Sequence, residues 1–221
     1  MNAIGIEIEN VTVAYHGKVA LHSASLQLKA GSICGLVGMN GAGKSTLFKA
    51  IMGFVKPAGG RILINQLPIR RAQKDNLVAY VPQSEEVDWT FPVSVYDVVM
   101  MGRYGYLNVL RIPRSIDRDA VRESLERVEM WELRDRQIGE LSGGQKKRTF
   151  FARALAQRGT VLLLDEPFAG VDIKTEKLMI NLLMELRQAG QKTLLSSHDL
   201  ASLTTSCNPE GLRKRRICAY G

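Results

Sequence analysis

The sequence predicts an α/β fold on three observations. Strand-like and helix-like segments alternate along the chain, a block of helical pattern interrupts that alternation midway, and one short apolar strand runs straight into a glycine-rich loop that opens a helix. In order, 4–15 alternates apolar Ile6, Ile8, Val11 and Val13 with polar residues, the mark of a half-buried strand. Gly17 sets a turn, and 24–28 reads as the hairpin partner, which together make an N-terminal antiparallel β subdomain. Ile33-Cys34-Gly35-Leu36-Val37 fits a central strand of a parallel sheet. A helix is expected over 44–54, closed by Gly53 and stopped before Pro57, then strands over 59–64 and 78–81. From Ser94 to Met130 the pattern is helical, clearest over 116–130, where Ile116, Ala120, Val121, Leu125 and Val128 share a face. A helix over 145–157, a strand over 161–164, a helix over 174–189 and a strand over 193–196 complete the alternation. The expected division is a core of 1–84 and 140–221 with a helical subdomain at 85–139.

Composition narrows the class. The chain has 221 residues, 45% hydrophobic and 24% charged, which suits a soluble globular protein of one or two domains. No apolar run approaches the ~18–20 residues of a membrane span, and the acidic, alternating N-terminus is not a secretory leader. A cytoplasmic location is expected, with docking onto a membrane protein left open. Cys34, Cys207 and Cys218 form no CxxC pair, which argues against a disulfide framework or a zinc site. Half of the net charge of +8 sits in one run, Arg213-Lys214-Arg215-Arg216. Such a run could meet nucleic acid or anionic lipid, but a solvated terminus is the favoured reading.

Three motifs carry chemistry. Gly38-Met39-Asn40-Gly41-Ala42-Gly43-Lys44-Ser45 fits G-x-x-x-x-G-K-[ST], the P-loop of a RecA-like NTPase core. Glycine leaves the amides open to phosphate oxygens, and the helix that follows aims its dipole at the same anion. Lys44 would neutralise the β/γ-phosphates, Ser45 would ligate Mg²⁺ and Thr46 would support the α-phosphate. In Val161-Leu162-Leu163-Leu164-Asp165-Glu166-Pro167 an apolar strand delivers Asp165 to the sheet edge as a Mg²⁺ ligand, with Glu166 as general base beside it. Leu141-Ser142-Gly143-Gly144-Gln145 is a helix capping box, and alone it would be no more than a well-made helix start.

Together, in this order, the motifs resemble the ATP-binding cassette (ABC) ATPases, whose signature is LSGGQ, and the resemblance runs from Ile6 to about Leu200. It implies that ATP is the nucleotide, that Tyr15 stacks on adenine, and that Gln83 senses Mg²⁺ and couples to a membrane partner. Asp172, in Ala169-Gly170-Val171-Asp172, would line an interface between two cassettes, and His198 would contact the γ-phosphate. Ser142, Gly143, Gly144 and Gln145 would contact ATP held by a second copy, giving a head-to-tail dimer with two sandwiched nucleotides. The stretch 87–105 is similar to the ATPases of bacterial manganese, iron or zinc importers. This implies permease subunits as direct partners and a substrate-binding protein as an indirect one. No metal-ligand set for the cargo is evident in the chain, so selectivity would reside in those partners. A nucleic-acid-associated ABC ATPase using the basic run is the alternative; a further one is a truncated cassette that binds ATP without coupled transport. After Leu200 the pattern breaks into an atypical basic segment, 201–221. A divergent short terminus and a frameshifted, truncated product both account for it; the second is favoured and carries an expectation of lowered stability or poor dimerisation.

Overall fold

The computed structural model describes residues 4–39, 41–83 and 91–197. The expectations for Asn40, for 84–90, for His198 and for the basic segment 201–221 lie outside them. The chain runs β1 (Ile4–Tyr15), β2 (Lys18–Lys29), β3 (Ile33–Val37), α1 (Lys44–Ile51), β4 (Gly59–Ile64), β5 (Leu67–Pro68), α2 (Ile69–Lys74), β6 (Val78–Val81), α3 (Val95–Met100), α4 (Ser115–Arg127), α5 (Gly143–Ala156), β7 (Val161–Asp165), α6 (Ile173–Gln188) and β8 (Lys192–Ser197). Tight 3₁₀ turns at Met101–Tyr106, Trp131–Leu133 and Ile138–Glu140 link the helices between β6 and α5.

Two four-stranded sheets result, ordered β2-β1-β4-β5 and β3-β8-β7-β6. The first is antiparallel and the second parallel. Because side chains alternate across a strand, the parallel sheet feeds two cores. Leu163 and Leu194 pack with Phe48 and Ile51 of α1 and with Ile6, Val13 and Ile64 of the antiparallel sheet. Leu162, Leu164 and Leu195 face the other way, onto Val98 and Val99 of α3, Leu125 of α4, Phe151 of α5 and Met179 of α6. The helices between β6 and α5 therefore share their core with α5, the helix that carries the Ser142–Gln145 motif at its start.

Four local expectations are revised. β2 begins at Lys18, well before residue 24, because His16 and Gly17 take left-handed backbone angles (φ 49° and 80°) and close a two-residue hairpin with Tyr15 opposite Lys18. Its first residues are largely solvent-facing, which hid the strand from its hydrophobic pattern. α1 stops at Ile51, and Gly53 (φ 68°) turns the chain so that Phe54 lies outside the helix and exposed. The short elements β5 and α2 had no periodic signal. Ile116 is not on the buried face of α4, being 51% exposed; Asp117 takes the inward position instead.

Asp117 is buried because it has partners. Arg103 donates through Nε and Nη2 to Oδ1 (3.1 and 3.0 Å), and Nη1 reaches the carbonyl of Ala156 at the end of α5 (2.9 Å). Burial pushes the Asp117 carboxyl up, but the Arg114 backbone N–H and the Arg103 guanidinium outweigh it and hold it below the usual carboxylate range. Breaking such a pair leaves a buried charge uncompensated. Arg103→Met should therefore lower unfolding free energy by about 3–5 kcal/mol in denaturant titration; a change within ~0.5 kcal/mol, typical of surface positions, would contradict this account.

Candidate functional site

Parallel strands present their carboxyl ends at one edge, where open α/β sheets bind ligands. Here the order β3-β8-β7 sets that edge. Val37 of β3 pairs with Ser197 of β8, and Ser196 of β8 pairs with Asp165 of β7. The loop beginning at Gly38 and the pair Asp165-Glu166 thus leave the sheet side by side, with β8 between them.

The loop is shaped for an anion. Gly43 caps α1 in the left-handed region (φ 87°), and a Cβ there would lie 2.8 Å from the carbonyl oxygen of Ala20, so both backbone and space require glycine. α1 has no side-chain cap and no acid in its first turn, which leaves its amino end positive. Lys44 Nζ donates to the carbonyl of Gly38 and reaches that of Met39 (3.4 Å), curling over the loop. A cleft of about 350 Å³ opens above, lined by Ala20, Met39, Gly41, Ala42, Gly43, Lys44, Ser45, Thr46, Gln83 and Glu166.

Glu166 lines this cleft, and Asp165 precedes it at the end of β7. Asp165 is 1% exposed; its Oδ1 accepts from Ser196 Oγ at 2.5 Å, while its buried Oδ2 has no hydrogen-bond partner among the described residues. Ser45, Gln83 and Asp165 also line one adjoining cavity of about 670 Å³. A hydroxyl, an amide and an unsatisfied carboxylate oxygen are the hard oxygen donors that Mg²⁺ takes, so these residues fit the ion. Glu166 has left-handed backbone geometry (φ 49°) that is uncommon outside glycine. Gln83 Nε2 donates to Glu166 Oε2 (3.1 Å), and Lys44 Nζ lies 3.9 Å from Oε1.

The structure thus gathers Met39, Gly41–Thr46, Gln83 and Glu166 around one cleft, with the Gly38 carbonyl held by Lys44 and Asp165 lining the adjoining cavity beside Ser45 and Gln83. It does not bring Tyr15 there: that ring is 38% exposed at the hairpin end, while Ala20 further along β2 lines the wall. Ser142–Gln145 and Asp172 form a second cluster, absent from the lining of this cleft. Ser142 Oγ accepts from Gln145 N–H (3.3 Å) and Ser142 N–H donates to Gln145 Oε1 (2.9 Å), completing the expected box. Asp172 caps α6 by accepting from the Thr175 backbone and hydroxyl (2.9 and 2.8 Å), which hold its carboxyl below the usual range. A Cβ on Gly144 would stand 2.9 Å from Asp172 Oδ2, so the amino ends of α5 and α6 are in close contact.

Two residues bonded to the acids carried no sequence signal. Lys147 Nζ reaches the Glu166 carbonyl (3.3 Å), although a lysine on a helix reads as a solvated charge. Ser196 looked like the polar end of a strand, yet it is fully buried between the acids. Only strand register could have revealed it.

Comparison with known proteins gives the same outline. The family model described as ABC transporter matches residues 21–169. The manganese transport system ATP-binding protein MntA of Synechocystis sp. is 60% identical over 222 residues, covering 100% of this chain and 85% of that protein. The chelated iron transport system membrane protein YfeB of Yersinia pestis is 57% identical over 215 residues, covering 97% of this chain and 73% of that protein. Among solved structures, cbiO1 of Clostridium perfringens, part of the ABC transporter complex cbiONQ, superposes with a TM-score of 0.78 at 30% identity, covering 93% of this chain and 82% of that one.

Proposed function

Since this chain belongs to the ABC transporter family, we propose that it is the ATP-hydrolysing subunit of an importer for a divalent metal ion, manganese, iron or zinc, and that ATP-dependent dimerisation drives an integral membrane permease. The observation that carries this reading is the convergence of Lys44, Gln83 and Glu166 on one cleft, in a chain 60% identical to a manganese-transport ATP-binding protein.

Chemistry at the cleft follows from its groups. The glycine loop and the amino end of α1 hold the phosphates, and Lys44 offsets negative charge at the β/γ bridge. Ser45, Asp165 and Gln83 would hold Mg²⁺, which would supply Lewis-acid charge to the phosphates. Glu166 accepts the proton of the attacking water, with Gln83 orienting its carboxylate. His198 completes the γ-phosphate contacts in this reading, Thr46 the α-phosphate contacts, and Tyr15 the adenine contact.

The cluster of Ser142, Gly143, Gly144, Gln145 and Asp172 supports a head-to-tail dimer. It offers a second positive helix end that its own P-loop cleft does not use. The cavity of about 670 Å³ supports permease docking: Met52, Phe54, Tyr80, Pro82 and Met101 give it an apolar wall, and Ser45 and Gln83 are shared with the nucleotide cleft. An arriving permease segment would therefore touch the residues that meet Mg²⁺. Among the described residues no helix is long and apolar enough to cross a membrane, in keeping with a subunit held peripherally on the inner face by its permease.

Reconstitution with the permease subunits in vesicles tests the reading. ATP inside the cytoplasmic-face compartment should drive accumulation of manganese, iron or zinc delivered by the substrate-binding protein. Intact ATP turnover with no permease capture and no metal uptake would sink metal import while leaving the ATPase standing.

A further inference from the structure

We propose that Ser196 is a positioning residue that aims both catalytic acids at once, a role that rests on the ATPase reading above. Its hydroxyl is fully buried and does two things. The proton goes to Asp165 Oδ1 at 2.5 Å, and a lone pair accepts the backbone N–H of Glu166 at 2.9 Å. Register explains the contact: Ser196 is the pairing partner of Asp165 across the parallel strands β7 and β8, so the two side chains stand on the same face of the sheet.

Each bond has a separate consequence. With Oδ1 engaged, Asp165 has a fixed rotamer, and it is Oδ2, buried and without a partner among the described residues, that is left for Mg²⁺. The second bond falls on Glu166 where its backbone is least comfortable. A left-handed φ of 49° costs free energy in a non-glycine residue and persists only where surroundings hold it. Ser196 holds the N–H, and Lys147 Nζ and the Ala169 N–H hold the carbonyl. That geometry turns the Glu166 carboxylate back toward Gln83 and Lys44. Alanine at 196 would leave Asp165 free to rotate and Glu166 free to relax, without touching the phosphate loop.

Ser196→Ala and Ser196→Thr, measured on the full chain, test this. ATP binding in EDTA reports the phosphate loop and should be unchanged in both. Mn²⁺ serves as a spectroscopic substitute for Mg²⁺: its resonance is followed with a non-hydrolysable ATP analogue bound. Loss of a hydrogen bond to a charged group should raise the Mn²⁺ needed for half-saturation about tenfold in the alanine variant. Turnover of that variant at saturating metal should fall at least about tenfold as Glu166 loses its aim. Threonine keeps the hydroxyl and should restore both. Wild-type metal affinity and turnover in Ser196→Ala would overturn the proposal, as would loss of its EDTA binding, which would make Ser196 a packing residue. A wild-type chain that binds Mn²⁺–nucleotide but never hydrolyses ATP would refute the functional reading instead, and the metal-affinity arm would still decide the role at Asp165.

Discussion

Glu166→Gln should reduce ATP turnover by about 10²–10⁴-fold, the usual contribution of a positioned general base, while nucleotide affinity stays near wild type. Glutamine has nearly the same shape, so its side chain can still accept from Gln83 Nε2 at the site where Glu166 Oε2 now does. What it cannot do is take the proton of the attacking water. The affinity should hold because phosphate binding rests on the loop amides, the amino end of α1 and Lys44, none of which is altered. A dimer whose opening depends on hydrolysis should accumulate in the ATP-bound form. Phosphate release under single-turnover conditions and size-exclusion chromatography with ATP measure the two effects. Unchanged turnover would remove Glu166 from the role of base.

Lys44→Ala should weaken ATP binding by about 100-fold, from the loss of charge-assisted hydrogen bonds worth about 1.5–3 kcal/mol each. The loss should be specific to the ligand. Lys44 hydrogen-bonds in this structure to the carbonyls of Gly38 and Met39, within its own loop, and its contact outside the loop is the 3.9 Å approach to Glu166 Oε1. Melting temperature without nucleotide should therefore shift little, while ATP-induced stabilisation should largely disappear. Equilibrium titration with a fluorescent ATP analogue gives the affinity. An affinity within threefold of wild type would show that the loop amides alone carry the phosphates.

Much of this site was legible in the sequence because its parts are contiguous. The loop at 38–45 announces itself through glycine and lysine at fixed spacing, and β7 through an apolar run that ends in Asp165-Glu166. Capping at Ser142 is equally local, since a side chain three residues away completes it. What stayed hidden depends on distance along the chain. Ser196 meets Asp165 only because β8 is inserted beside β7, and Ala20 reaches the cleft only because the hairpin lays β2 near Gly43. Ile116 misled for the opposite reason. Its apolar character fitted a helical stripe, but a buried ion pair with Arg103 put Asp117 inside, and hydrophobic periodicity cannot anticipate a paired charge in a core.

The strand order also bears on when this protein can acquire function during synthesis. β3, which launches the phosphate loop, finds its sheet partner in β8, the last strand of the described chain, and has no other neighbour in that sheet among the described residues. The P-loop strand must therefore wait, unpaired on that side, while helices, β6 and β7 emerge from the ribosome. Such long-range parallel pairing is slow to form. A nascent chain halted before Lys192 would hold every residue of the loop at 38–45 and yet lack the strand that sets this loop beside the acids. ATP should be recruited as a folding ligand only once β8 has emerged and paired with β3.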